Sequence, residues 1–156
     1  DQNEIIINSR FTFDGYLKKY NEVEIRNSKI FETGDLAKIN QKNYLEITGR
    51  KKNIIIKNGI NYSPKYYEEK IENFKSVNRA IVLGVSDKSL NQKIYVIIVP
   101  ENKINLQFLK NKIKESFKEI DDVLFLKKIP LTKIGKPDIN HLNKIIKKYE
   151  KKIKNY

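Results

Sequence analysis

Asn58-Gly59 stands between two short runs rich in Ile, residues 53–57 and 60–62. The two-residue turn that suits a right-twisted hairpin needs positive φ at both central residues, and Asn followed by Gly adopts it with least strain. Ser63-Pro64 follows at once. It reads as a helix start, with Ser at the N-cap and Pro at the first helical position, where no N–H is needed. Tyr67, Ile71 and Phe74 then recur at i, i+4 and i+7, one buried stripe. From residue 53 onward the chain is therefore committed to a hairpin that runs into an amphipathic helix.

The same reading continues downstream. Residues 80–85 and 93–99 are predicted strands, the second closed by Pro100. Leu106, Leu109, Ile113 and Phe117 mark a second helix, capped by Asn105. Residues 123–129 form a third strand, and Ile139, Leu142, Ile146, Tyr149 and Ile153 a third helix with Lys on its other face. The order hairpin, helix, strand, strand, helix, strand, helix predicts an α+β domain: a β-hairpin and a three-stranded sheet packed by helices.

Upstream the pattern is strand only. Residues 4–7, 23–26, 28–32, 36–39 and 44–48 are β-rich, with a turn between 26 and 28 and the polar turn 40–43. These fifty residues carry too few large side chains for a core of their own, and are expected to complete a β-subdomain of a longer protein. The predicted organisation is a β-rich segment 1–50, a charged joint at Lys51-Lys52, and a domain over 53–156. The chain contains no Met and opens at Asp1-Gln2-Asn3 directly before a strand, which adds to the expectation of a piece of something larger.

Composition excludes several classes. With no Cys there is neither a disulfide framework nor a thiolate metal site, which fits a reducing, cytoplasmic compartment. No apolar run approaches the roughly 20 residues of a membrane span, and no secretory signal is visible. The formal charge is +13, but 28 of the 32 basic residues are Lys, with Arg only at 10, 26, 50 and 79. Nucleic-acid surfaces usually use the Arg fork as well. The lysines run along the whole chain, densest over 144–154. The charge is read as solubility and steering, and no nucleic acid is expected. A basic module that binds RNA or acidic partners is the alternative from another class, and it rests on charge alone.

Three local patterns carry chemistry. Phe31-Glu32-Thr33-Gly34-Asp35 offers a carboxylate after a glycine turn, Thr48-Gly49-Arg50 a guanidinium at a strand end, and Pro130-Leu131-Thr132-Lys133-Ile134-Gly135-Lys136 two ammonium groups on a basic loop. Taken singly, each has a plain structural reading: a turn Asp, a surface ion pair, two exposed lysines. Taken together, with Phe13-Asp14-Gly15-Tyr16 before them, the run from Gly49 to Pro64 at the joint, and Leu83-Gly84-Val85-Ser86-Asp87 with Gln92 beyond, the series resembles the carboxyl-terminal end of adenylate-forming enzymes. That superfamily comprises acyl-CoA synthetases, luciferases and peptide-synthetase adenylation domains. The order and gaps of the pieces carry the likeness, which covers nearly the whole chain.

The resemblance implies a C-terminal domain with the tail of an N-terminal one, and an acid–thiol ligase. Carboxylic acid and Mg-ATP give acyl-adenylate and pyrophosphate, and the acyl group then passes to CoA or, as the alternative, to a carrier-protein thiol. A fatty-acid or other acyl-CoA synthetase is implied, with its own N-terminal domain as the missing partner. The isolated piece is expected to be inactive and to need no cofactor itself. Residue by residue, Asp35 would accept from the ribose hydroxyls. Arg50 would contact the nucleotide. Lys52 would be the hinge about which the C-terminal domain rotates between half-reactions. Gly59 would line the path of the incoming CoA. Lys136, directly after its glycine, would be the catalytic cation at the carboxylate–phosphate centre, in preference to Lys133. No metal ligand is expected among these residues, and the single histidine, His141, is read as structural. Asn43 and Asn91 depart from the family in replacing glycines, and Tyr66-Tyr67 in replacing Glu-Ile.

Overall fold

The structure, a computed structural model, describes residues 3–17, 22–26, 28–101 and 104–154. Two compact units divide the chain, Asp1–Asn53 and Ile54–Tyr156.

In the first unit β1 (Asn3–Asn8), β4 (Ile30–Ile39) and β5 (Leu45–Arg50) make an antiparallel sheet in the order β1-β4-β5. Between β1 and β4 in sequence, β2 (Gly15–Leu17) and β3 (Val23–Ile25) pair as a separate two-stranded ribbon. A 3-10 turn, Lys51–Asn53, ends the unit. Sequence patterning misses β2 and divides β4 into two strands; the glycine and charge at Gly34-Asp35 look like a break, yet the strand runs through them as a bulge. Nor does the stretch 23–26 pair with the one after it, since β3 turns back on β2; the turn expected between them falls on Asn27, outside the described residues. The polar turn 40–43 does form, with Asn43 at φ 60 and Asn40 Oδ1 accepting from the Lys42 and Tyr44 amides. Ala37 is the one core residue of this unit among those described, whereas Ile6, Leu17, Ile25, Ile39 and Leu45 stay exposed. Burial of large apolar side chains is what stabilises a sheet face, and here it is lacking although such side chains are present: they lie uncovered, and their number is not the limit that the sequence suggested. Its aromatic contacts are local: Phe13 packs edge-on against Tyr16 and Phe31, and the Arg26 guanidinium lies over the Phe13 and Phe31 rings.

The second unit holds a full core. It begins with the hairpin β6 (Ile55–Lys57) and β7 (Ile60–Tyr62), in which Lys57 pairs with Ile60 across Asn58 (φ 51) and Gly59 (φ 78). Helix α1 (Pro64–Glu72) opens on Pro64, with Ser63 in the N-cap backbone position but making no side-chain capping bond. Then come β8 (Val77–Asp87), β9 (Asn91–Pro100), α2 (Leu106–Ser116), β10 (Asp122–Phe125) and α3 (Ile139–Lys154). Asn105 caps α2 by accepting from the Phe108 amide at 3.0 Å. The sheet order is β10-β9-β8, antiparallel on one side of β9 and parallel on the other. A parallel neighbour requires a crossover, and α2 supplies it.

Strand β9 is central and buried over Ile94–Ile98 without a polar interruption, as a strand covered on both faces must be. Its alternate residues feed two cores. Ile94, Val96 and Ile98 join Ile55, Tyr67, Ile71, Leu109 and Ile113 from the hairpin, α1 and α2. Tyr95 and Ile97 join Leu142 and Ile146 of α3 with Leu124 of β10. At the sheet edge, Asp122 accepts from Lys110 of α2 (2.5 Å) and from the Tyr149 hydroxyl of α3 (2.7 Å), tying the helices of opposite faces to one strand.

Candidate functional site

Asp35 and Arg50 occupy directly opposed positions on β4 and β5. Arg50 Nε donates to Asp35 Oδ1 at 2.6 Å and Nη2 to Oδ2 at 3.4 Å, a two-pronged contact. Bulges set this up. Opposite Ile5 of β1 the β4 strand carries three residues, Thr33, Gly34 and Asp35, and Gly34 takes φ +74. A bulge of this kind re-aims the side chain that follows it. The loop is pinned by Thr33, to which sequence reading gave no role of its own, and by Glu4, which it passed over. The Thr33 hydroxyl donates to the Ile5 carbonyl and accepts from the Asp35 amide, while Glu4 accepts from the Gly34 amide at 3.0 Å. Glu4 also meets Lys51 at 2.7 Å, and that hydrogen bond holds the Glu4 carboxyl below its ordinary range and the Lys51 ammonium above its own. A glutamate in the first strand and a hydroxyl two residues before an aspartate have no spacing signal; only the pairing of β1 with β4 unites them. Lys52 lies exposed in the 3-10 turn that follows β5.

Gly59 sits at the tip of the β6–β7 hairpin, with open space where a Cβ would be. The hairpin lies against the sheet through Gly84: a Cβ there would come within 2.8 Å of the Ile55 side chain and 2.9 Å of Gln92. Gln92 Oε1 in turn accepts the Ile56 amide at 2.7 Å. The faint pattern of Gly84 and Gln92 in the sequence thus has a physical purpose, the seating of the hairpin. Asn91, with φ 62, adopts the left-handed backbone, as does Asn43 with φ 60; Asn is the residue that tolerates this region best after Gly.

Lys136 lies on a loop between β10 and α3. Leu131 bridges Pro137, the Gly135 amide reaches the Thr132 carbonyl, and the Thr132 amide reaches the Lys136 carbonyl at 2.7 Å. Gly135 has φ +76. This is a three-residue hairpin loop whose last position must be left-handed, which explains why a glycine precedes the lysine. The Lys136 amide is also held by the Thr132 hydroxyl, so the backbone is fixed while the side chain stands in solvent. Lys133 is equally exposed, at the first position of the same loop. Asp138 closes the loop through the Pro130 carbonyl and caps α3 by accepting from the His141 amide, a cap absent from the sequence reading. His141 is exposed at that helix start. The structure thus brings Asp35 and Arg50 together in one unit, and sets Gly59 and Lys136 on separate loops of the other. Among the described residues no cluster of His, Asp and Glu is placed to hold a metal ion, and no helix is long and apolar enough to cross a membrane.

No protein-family model matches the chain. Curated relatives do. The vibriobactin-specific 2,3-dihydroxybenzoate-AMP ligase of Vibrio cholerae is 25% identical over 92% of this chain and 28% of its own length. A 2-succinylbenzoate–CoA ligase of Staphylococcus epidermidis is 29% identical over 85% of this chain and 29% of its own. Among solved structures, ATP-bound MatB of Rhodopseudomonas palustris superposes with a TM-score of 0.64 at 27% identity, covering 77% of this chain and 25% of that one. The chain spans between a quarter and a third of the length of each.

Proposed function

The chain belongs to the adenylate-forming superfamily of ligases, and on that footing we propose that it is the carboxyl-terminal part of an AMP-forming acid–thiol ligase. In this reading residues 1–50 are the tail of the adenylating domain, Lys51-Lys52 the hinge, and 53–156 a mobile domain that delivers the catalytic lysine. The reaction is acid plus ATP to acyl-adenylate and pyrophosphate, then acyl transfer to CoA, as in a fatty-acid or other acyl-CoA synthetase. Relatives named for AMP and CoA ligation, and a neighbour solved with ATP, support both nucleotide and thiol as substrates. Magnesium would enter with the ATP phosphates, its usual ligands in nucleotide sites. The absence of cysteine accords with action in the cytoplasm.

The observation that carries the reading is the Asp35–Arg50 pair on its double bulge. A carboxylate has about four acceptor positions. Arg50 uses two and fixes the group, leaving the others for the two hydroxyls of a ribose. Lys136 offers the complementary part, a compact cation on a flexible stem carried by a fixed backbone. In the negative transition state of adenylation such a cation lowers the barrier. Reacting groups must be held together for this, so residues 1–156 alone should not make acyl-adenylate. The test is acid-dependent pyrophosphate release. It is expected only when the chain is joined to an adenylating domain, and release by the 156-residue chain alone would contradict the assignment.

A further inference from the structure

The tip that carries Gly59 is open, but the base of its hairpin is clamped. Lys57, the last residue of β6, has a side chain only 12% exposed. Its ammonium lies 2.6 Å from Asp121 Oδ2 and 2.7 Å from the Glu119 carbonyl. Asp121 is itself locked to the central strand, accepting the Ile94 amide at 2.7 Å and donating its own amide to the Ile94 carbonyl at 2.9 Å. The Glu119 carboxylate takes the Tyr67 hydroxyl of α1. One lysine therefore ties the hairpin to the loop between α2 and β10, and that loop is tied to β9 and α1. The Ile56 amide on Gln92 and the Asn58 amide on the Leu90 carbonyl complete the seating.

Sinking an ammonium this far costs desolvation that its pairing roughly offsets, so such a pair is a weak source of stability and a better means of fixing geometry. Lys38 with Glu46 and Lys65 with Glu69 pair at the surface, whereas Lys57, like Lys110 with Asp122, pairs in a largely covered position. Lys57 is the one placed within two residues of the hairpin tip. The groups facing it from the neighbouring loop are a carboxylate and a carbonyl, both turned to the ammonium. A hairpin that served only to cover Ile55 would need no such clamp, since Gly84 and Gln92 already seat it.

We propose that Lys57 is a positioning residue for the acyl-transfer step: through Asp121 and Glu119 it holds the Asn58-Gly59 tip where the incoming thiol must pass. The proposal rests on the reading of Gly59 as part of that path. It assigns Lys57 no contact with substrate and no part in adenylation.

Lys57→Met keeps the stem and removes the charge. Amide hydrogen exchange over residues 56–62 of the 156-residue chain should quicken, while Val96 and Ile98 in the core keep their protection. In the ligase that carries this chain, transfer from preformed acyl-adenylate to CoA should fall about 10²-fold in kcat, the cost of a small misplacement, with adenylation unchanged. A role in stability alone would lower both half-reactions together. Unchanged exchange in the hairpin would overturn the proposal. So would unchanged transfer in Lys57→Met when Gly59→Leu abolishes transfer, which leaves the path reading intact. If Gly59→Leu also transfers normally, the path reading itself fails, and the proposal with it. Should Lys57→Met not fold, Asp121→Asn, which removes the partner charge and keeps the shape, is read in the same way.

Discussion

Arg50 reaches across from β5 to grip Asp35 on β4, Nε to Oδ1 at 2.6 Å and Nη2 to Oδ2 at 3.4 Å. The pair is partly solvated, with side-chain exposures of 50% for Arg50 and 26% for Asp35. Ion pairs so exposed contribute about 0–1 kcal/mol. Two strand bulges and a left-handed glycine are thus arranged around a contact that does little for stability, which points to its use in binding.

Asp35→Ala should accordingly separate stability from binding. Denaturant unfolding of the chain should shift by no more than about 1 kcal/mol. In the proposed ligase, the ATP concentration for half-saturation should rise about 10- to 100-fold, as loss of a charge-assisted hydrogen-bond pair does. A large loss of stability with unchanged ATP affinity would make Asp35 a structural residue.

Gly59→Leu places a branched side chain at the hairpin tip, where φ is +78. A left-handed position costs a non-glycine residue about 1–2 kcal/mol, so the hairpin should loosen while the two cores hold. The space beyond the tip is open, and the functional effect should therefore fall on whatever passes there. CoA transfer is expected to drop with adenylation spared, measured by assaying the steps separately.

The sequence made the second unit legible because its signals are local. Asn58-Gly59, Pro64 and Asn105 each act within a few residues, and all three sit where expected. Strands β8 and β9, expected over 80–85 and 93–99, run further, from Val77 to Asp87 and from Asn91 to Pro100, and the turn chemistry of Asp87 and Ser89 confines the connection between them to three residues. The third strand, expected to reach residue 129, stops at Phe125, and its parallel pairing with β9 has no local cue. In the first unit the pattern misled, since β4 runs through a bulge that looks like a break. The site residues were visible one at a time. What positions them was not: Glu4 meets Gly34 and Lys51 through strand pairing, and Lys57 meets Asp121 sixty-four residues on.

Asn91 tests the turn chemistry directly. At φ 62 it stands in the left-handed region. Asn91→Ala should destabilise the second unit by about 1 kcal/mol, while Asn91→Gly should be neutral or slightly stabilising. Thermal or denaturant unfolding of both variants decides it; equal loss in both would assign the effect to the Asn side chain and not to its backbone.

Glu68 carries a pH signature. Burial pushes its carboxyl above the ordinary 4.5, against the opposing bond from the Val82 amide. A raised carboxyl favours folding where it is protonated, so the ionised form weakens the fold at neutral pH. Glu68→Gln keeps an oxygen for the Val82 amide and should be neutral to stabilising at pH 7. Its advantage should fade as pH falls through the raised folded value and vanish below about 4.5. An advantage that grew on acidification would contradict the sign.

The most direct test of the account is Lys136→Ala in the proposed full-length ligase, with each half-reaction measured alone. Formation of acyl-adenylate, followed by acid-dependent pyrophosphate release, should slow about 10²- to 10³-fold, as loss of a transition-state charge contact does. Transfer from preformed acyl-adenylate to CoA should proceed at the parent rate. If both steps slowed alike, or if Lys133→Ala proved more damaging to adenylation than Lys136→Ala, the catalytic cation would not be Lys136.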